Sequence, residues 1–434
     1  MRPTTRRAAE VATVLARHGL GSMVDFLELH GTRRSRKRRA AAPPRRVGPA
    51  HLRHALEELG PAFVKLGQVL STRPDLVPPE YETELSILQD AAPAAPTREI
   101  MRVIEDALQQ PIREAYARFD GAPLAAASIG QVHAATLPDG TDVVVKVRRP
   151  GVTETIDLDL AVLARVAATA ARRPALERYD PVGLANEFDT TLRGELDYLR
   201  EARSAEAART AFDGDAKVHV PRIFWSHTRD GVITEERIRG CKIDDFETLD
   251  ADGADRALLA RTFADAYLAM IFVHRFFHAD PHPGNVFVEA DDRVAFVDFG
   301  MVGEVTSTTV HGLGTMLLAV VTVDASQMAD GLLQLGVASE HVDRPSLETD
   351  LVRFLHEYTH VPLEQLRIGP LLNEVMGVVR AHQLRLPSDL ALLIKTMMMC
   401  EGVAASLDPG FELVPMLLPY AARLTGDTGP APSP

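Results

Sequence analysis

At 434 residues the chain is long enough for one large two-lobed domain or two to three smaller ones, and a composition of 46% hydrophobic and 25% charged residues is ordinary for a globular protein. Two cysteines, Cys241 and Cys400, exclude a disulfide framework and a zinc-type spacing; they read as buried thiols of a reducing compartment. Net charge is −13, yet residues 1–47 hold twelve Lys/Arg against three Asp/Glu, a net of +9 that leaves −22 on the remainder; the basic tip suits an anionic surface, and the acidic body argues against nucleic acid.

In chain order, residues 3–30 read as a basic amphipathic helix with Val11, Val14, Leu15, Leu20, Val24 and Leu27 on its apolar face, followed by an arginine-rich run at 33–39. Such a segment either lies on an anionic membrane or packs on the body ahead of a solvated basic loop. A linker at 42–49 leads to a helix at 50–72, with Pro61 as a break or fresh start and with Lys65 and Gln68 three apart on one face. Thr97 is expected to cap a helix through Leu108. Residues 114–147 change to strand character, with Pro138-Asp139-Gly140 as a hairpin turn and Lys146 interrupting an apolar strand, V-V-V-K-V. Helices are predicted at 152–172 and 181–208, short strands at 217–224 and 231–238, and mostly helix from Asp250 onward. The tail 426–434 reads as disordered. No uninterrupted apolar leader is visible, the longest apolar run (316–323) falls far short of the ~20 residues of a membrane span, and the stretch from Leu390 is interrupted by Lys395. A soluble or peripheral protein is expected.

The exception to the helical second half is FHADPHPGNVFVEADDRVAFVDFG, residues 277–300. Asp280 and Asn285 stand five apart, separated by Pro281, Pro283 and Gly284, so they sit on a rigid loop. Two short apolar runs then deliver Asp298-Phe299-Gly300. This is the order that phosphoryl transfer by a kinase requires: a catalytic-loop Asp, an Asn for magnesium five residues on, and a second metal-binding Asp. The competing interpretations are a Pro-rich turn and an H-x-D-x-H metal cluster from His278, Asp280 and His282.

A kinase also needs a strand lysine for the α- and β-phosphates and an acid to hold it. Lys146 is the candidate, against the alternative of a solvated edge-strand lysine. Read as one helix, residues 190–207 offer Glu195, Asp197 and Glu201. Glu195 and Glu201 would then point about 240° apart and could not both aim at Lys146. One acid would hold Lys146 and the other a second cation, for which Lys65 is the natural candidate; a surface acid patch is the alternative. The loop before the strand has Ala125, Ala126, Ala127 and Ser128 where a protein kinase has G-x-G-x-x-G, so it should be stiffer. No A-P-E follows Gly300, and helical pattern resumes almost at once, which removes the platform for a peptide substrate. The string V-I-T-E-E-R, including Glu235 and Glu236, falls where the hinge should bind adenine through its backbone.

On these residues the sequence resembles the UbiB/AarF/ADCK family of atypical kinase-like proteins over about residues 50–425. The motifs are Lys65-Leu66-Gly67-Gln68 (K-x-G-Q), AAASIGQVH at 125–133, VVVKVRRPGV at 143–152, the E-x-D motif Glu195-Leu196-Asp197, HADPHPGN, DFG, LPSDLALL at 386–393 and EGVAASLDP at 401–409. The resemblance implies an α+β, two-lobed protein-kinase-like fold with an N-terminal helical K-x-G-Q extension and a mostly helical C-lobe. The divisions expected are a basic segment at 1–47, the extension at 48–113, an N-lobe at 114–240, a C-lobe at 241–425 and a disordered tail. In the family the K-x-G-Q helix folds over the active site, which would pair Lys65 with Glu195 and Lys146 with Glu201.

The implied cofactors are ATP and Mg2+, with Asp280, Lys146, Glu201, Lys65 and Glu195 in catalytic roles. Ala125, Ala126, Ala127, Ser128, Lys146, Glu236 and Gln68 would line the nucleotide, and Asn285 and Asp298 would hold metal. The implied activity is ATP hydrolysis supporting isoprenoid quinone biosynthesis or lipid homeostasis. A small-molecule or lipid kinase and a nucleotide-switched scaffold are the alternatives. Expected partners are a lipid or quinone-like small molecule, an anionic membrane surface met by the basic N-terminus, and a second copy of the chain. Glu235 stands where the family usually has an apolar hinge residue.

Overall fold

The computed structural model describes residues 3–21, 24, 48–71, 76–88, 93–335, 342–358, 366–382, 384 and 387–424. The basic run at 33–39 and the tail at 426–434 lie outside the described residues. The chain divides into two compact units, Met1–Ala202 with Ile223–Arg237, and Arg203–Arg222 with Ile238–Pro434.

Unit 1 opens with α1 (Pro3–Arg17), whose Ala8, Val11, Val14 and Leu15 are buried in a cluster with Ala55, Leu56, Leu59 and Phe63. The packed alternative of the sequence therefore applies to α1: its apolar face is spent on its own unit. The helix expected from 50 to 72 is two helices, α2 (Pro49–Leu59) and α3 (Pro61–Ser71). Gly60 between them has φ +100, a conformation glycine adopts without strain, and Pro61 starts the next helix where no N–H is needed. Gly67 lets α3 press on its neighbours, since a Cβ there would collide with the Leu88 side chain and stand 2.9 Å from that of Leu56. A short α4 (Pro79–Leu85) follows.

The next helix, α5 (Thr97–Leu108), corrects the expected cap. Pro96 occupies the cap position and Thr97 is already helical, its hydroxyl donating to the carbonyl of Gly121 at 2.9 Å. Ile100 and Ile104 of α5 are fully buried against Val143, Val145 and Val147. After the one-turn α6 (Ile112–Ala115), an antiparallel sheet forms from β1 (Arg118–Ala126), β2 (Gly130–Thr136), β3 (Asp142–Arg148) and, later in the chain, a fourth strand at Val232–Glu236. The β2–β3 hairpin closes at Gly140, φ +88.

Two helices then pack together, α7 (Val152–Ala170) and α8 (Pro181–Leu196), and α9 (Tyr198–Ala211) follows. The single helix expected across 190–207 is thus broken. Asp197 leaves helical geometry (φ −84, ψ 80), and its carboxylate accepts from the N–H of Arg200 at 2.8 Å. The Asp of E-x-D ends one helix and caps the next.

Unit 2 holds a four-stranded sheet in the order β4-β9-β8-β6, from β4 (Val218–His219), β6 (Cys241–Lys242), β8 (Val286–Glu289) and β9 (Arg293–Phe296); β5 is the Val232–Glu236 strand of unit 1. Helices α10 (Phe246–Ala251) and α11 (Arg256–Ala269) precede β7 (Phe276–His278), which pairs with β10 (Val302–Glu304). Among the described residues six helices follow: α12 (Ser307–Thr322), α13 (Ala325–Gln334), α14 (Arg344–Tyr358), α15 (Ile368–Ala381), α16 (Ser388–Leu407) and α17 (Leu413–Leu424). Phe263 and Tyr267 of α11 stack around Phe296, with ring centroids 5.0–6.0 Å apart.

Two stretches, Arg256–His274 and Asp389–Leu407, are long and apolar enough to cross a membrane by length and composition, where the sequence suggested none. About half of each is buried inside the protein, and Lys395 does not interrupt α16.

Candidate active site

Unit 1 positions the lysines. Along β3, Val143, Val145 and Val147 point into the core under α5, which turns Val144 and Lys146 to the opposite face. Strand β3 is flanked by β2 and β5, so Lys146 is not on an edge. Its ammonium donates to Glu201 Oε1 at 2.7 Å and lies 5.5 Å from the centre of the Tyr198 ring. Glu201 is buried. Lys65 on α3 meets Glu195, in the last turn of α8, at 3.0 Å. The two acids serve two different lysines, and they do so from separate helices.

The alanine-rich stretch is less of a loop than expected. Ala125 and Ala126 are the last residues of β1, paired with Val132 and Gln131. Only a tight turn remains: the N–H of Ala127 donates to the carbonyl of Gly130 at 2.9 Å, with Ser128 buried. Arg149, which the sequence did not single out, pins this turn by donating to the carbonyl of Ala127 at 2.7 Å. Gly130 has no room for a Cβ because the Tyr198 hydroxyl would collide with it. Gln68 donates to the carbonyl of Leu88 at 3.2 Å, and Glu236 ends β5 opposite Val143.

Unit 2 positions the oxygen donors. His278 is buried and braces the loop: Nε2 donates to the carbonyl of Val297 at 3.0 Å and Nδ1 accepts from the N–H of Asp280 at 3.3 Å. The Phe299 ring stands edge-on to it at 5.0 Å. His282 Nδ1 accepts from the N–H of Gly284 at 3.0 Å. Both histidines thus spend ring nitrogens on backbone, and among the described residues no cluster of three or more His, Cys, Asp or Glu could hold a metal. The H-x-D-x-H alternative falls.

Asn285 reaches back across the loop, its Nδ2 donating to Asp280 Oδ2 at 3.0 Å and to the Asp280 carbonyl at 3.2 Å. That choice of donor turns the amide oxygen into the atom available to a cation. The N–H of Val297 donates to the carbonyl of Asn285 at 2.9 Å, which ties the loop to the segment carrying Asp298. Asp298 sits at φ 64, left-handed for a non-glycine residue, and its Oδ1 accepts from the N–H of Gly300 at 3.3 Å. Residues in such backbone geometry concentrate at functional sites. Only β10 and short connections separate Asp298 from α12, which starts at Ser307.

Two further residues support this loop without any sequence signal. Buried Thr396 of α16 donates to the carbonyl of Leu392 at 2.9 Å and places the same hydroxyl 3.4 Å from the carbonyl of Ala279. Lys242 of β6 donates to the carbonyl of Gly284. Burial lowers the Lys242 ammonium to about 8, with Asp244 pulling it back up, and complete burial pushes the Tyr267 hydroxyl well above its ordinary value.

Comparison with known proteins identifies the family. Residues 87–332 match the ABC1 atypical kinase-like domain and residues 351–412 the UbiB helical domain. The chain is 36% identical to a probable protein kinase UbiB of Xylella fastidiosa, over 96% of this chain and 78% of the relative. It is 38% identical to the protein sll1770 of Synechocystis over 87% of this chain, but spans only 65% of that protein's length. Among solved structures, Rv3197 of Mycobacterium tuberculosis, determined with erythromycin, is similar with a TM-score of 0.58 and 25% identity, covering 81% of this chain and 90% of its own. The fold is the two-lobed kinase-like one, and the chain belongs to the ABC1/UbiB family of atypical kinase-like proteins.

Proposed function

We propose that this chain is a magnesium-dependent, ATP-binding atypical kinase of the UbiB type that supports isoprenoid quinone biosynthesis or lipid homeostasis at a membrane. The observation that carries this is the loop in which Asn285 holds Asp280 at 3.0 Å while Asp298 follows on a left-handed residue. The donor set suits the cofactor. Asn285 offers a neutral amide oxygen and Asp298 a carboxylate, the hard oxygen ligands that magnesium takes alongside substrate phosphates. The bound cation would supply charge neutralisation on the phosphate oxygens. Lys146 is oriented by Glu201 to hold phosphate, and Asp280 orients or deprotonates the attacking hydroxyl or water. Lys65, held by Glu195 on the same unit, guards access. The short segment after Asp298 favours a small acceptor, a lipid or quinone-like molecule, over a peptide.

Asp298→Asn is expected to abolish magnesium-dependent hydrolysis of ATP; unchanged hydrolysis would overturn the proposal. Labelled γ-phosphate recovered in a lipid extract would identify a kinase, and free phosphate alone an ATPase. A peripheral cytoplasmic location, with the basic run meeting anionic lipid, is part of the same proposal. Its test is liposome-stimulated hydrolysis after Arg33, Arg34, Arg36, Lys37, Arg38 and Arg39 are changed to Gln. Deleting residues 1–47 would be a poor test, because α1 belongs to a hydrophobic cluster of unit 1. Stimulation that survives the six changes would remove the membrane contact from the proposal.

A further inference from the structure

Lysine is a residue that proteins rarely desolvate without an acid to receive it. Lys242 departs from that rule. Among the described residues no carboxylate stands within ion-pair distance of its ammonium. Instead Nζ lies 3.5 Å from the centre of the Phe287 ring and donates to the carbonyl of Gly284. The placement is built by the backbone. Strand β6 has two residues, Cys241 paired with Val288 and Lys242 with Phe287. Gly240 just before it passes so close to β8 that a Cβ would collide with the carbonyl of Val288. The N–H of Ile243 then donates to the carbonyl of Val286 at 3.1 Å. The side chain is thereby laid along β8 toward the turn Pro283–Asn285, in which Gly284 precedes Asn285.

A methionine would cover Phe287 equally well. What a lysine adds is the attraction of its ammonium for the ring face and a charged hydrogen bond to a loop carbonyl, the stronger kind of contact. The N–H of Gly284 is held by His282 and the N–H of Asn285 donates to the carbonyl of His282 at 2.8 Å, both local bonds within the turn, while the carbonyl of Asn285 is held from outside by the N–H of Val297 at 2.9 Å. Lys242 adds a second outside bond, from β6, on the other side of the Gly284–Asn285 peptide. We propose that Lys242 is a positioning residue of this site, which fixes the Gly284–Asn285 peptide and through it the amide of Asn285 as a cation ligand. The proposal rests on the kinase-type function above.

The lowered proton affinity of Lys242 agrees with its desolvation. Of the charged groups around it, Asp244 raises that affinity, Asp245 is engaged in capping α10 through Thr248, and Glu289 of β8 is paired with His219 at 2.6 Å. None of them replaces the carbonyl of Gly284 as the receiver of the ammonium.

The test compares the full chain with Lys242→Met, which keeps the stem on Phe287, and Lys242→Arg, which restores a charged donor. Binding of a fluorescent ATP analogue is titrated with Mg2+, alongside binding in EDTA. The Met variant is expected to need about tenfold more Mg2+, the scale of one charge-assisted hydrogen bond, with binding in EDTA unchanged within twofold; the Arg variant recovers most of the loss. A Met variant that titrates like the unmodified chain, or an Arg variant that does not rescue, overturns the proposal. Hydrogen exchange over residues 280–288 separates it from the function itself. Faster exchange in the Met variant, restored by Arg, upholds positioning even if the unmodified chain binds no Mg-nucleotide, in which case only the kinase-type function falls. Unchanged exchange overturns the positioning role.

Discussion

The ion pair between Arg7 and Asp159 gives the sharpest stability prediction. Asp159 of α7 has 0% of its side chain exposed and Arg7 of α1 has 14%. The guanidinium grips both carboxylate oxygens, Nε to Oδ1 at 2.5 Å and Nη2 to Oδ2 at 3.1 Å, and Nη2 also donates to the carbonyl of Leu59 at 2.6 Å. Arg7→Met would leave a buried carboxylate without its partner, a loss of about 3–5 kcal/mol. At about 2–4 °C per kcal/mol for a unit of this size, unit 1 should melt roughly 6–20 °C lower. Removing both charges is different. Arg7→Met combined with Asp159→Leu should return to within about 1 kcal/mol of the unmodified chain, because the desolvation of both groups is relieved together.

The pH dependence has a definite sign. Burial raises the Asp159 carboxyl above its ordinary value even with Arg7 beside it. A carboxyl raised in the folded state takes up a proton on folding, so its burden is present at neutral pH and is relieved as pH falls toward the raised value. The deficit of Arg7→Met should therefore shrink between pH 7 and pH 5. Melting followed by circular dichroism at both pH values, for the two single variants and the double, decides this. A single-variant shift under about 2 °C at pH 7, or a deficit that grows in acid, would refute the reasoning.

The remaining predictions concern unit 2 and the thiols. Glu401 is buried and accepts from the N–H groups of Ile368 and Gly369, both at 2.7 Å, at the start of α15. Glu401→Ala should lower stability by about 2–4 kcal/mol, from two orphaned donors at about 1–2 kcal/mol each; urea unfolding with an unchanged midpoint would contradict it. Burial raises the thiols of both Cys241 and Cys400, so neither is much ionised at pH 8. Buried Cys400 should react with a disulfide reagent only on unfolding, while half-buried Cys241 reacts earlier; fast native reaction of Cys400 would contradict its placement.

How legible all this was varied with the range of the signal. Gly and Pro punctuate locally, so the Gly60–Pro61 break and the hairpin at Gly140 could be read directly, and the five-residue spacing of Asp280 and Asn285 is itself the geometry of the loop. The break at Asp197 was hidden because Leu-Asp-Tyr-Leu-Arg contains no Gly or Pro, and a capping Asp is indistinguishable by letter from a helical one. Strand β4 was assigned by sequence to the same lobe as β5, but it pairs in parallel with β9 of unit 2, a partner about 75 residues away. Lys242 and Thr396 carry no motif at all. Their roles exist only once β6 and α16 are folded against the loop.

The same break at Asp197 has a mechanical consequence. In one rigid rod, Glu195 and Glu201 would turn together, so withdrawing the acid from Lys65 would also drag the other from Lys146. With a non-helical joint between them, the two clamps belong to separate levers. Breaking one pair does not oblige the other to break; on the function proposed above, the Lys65 contact would lift without unseating Lys146.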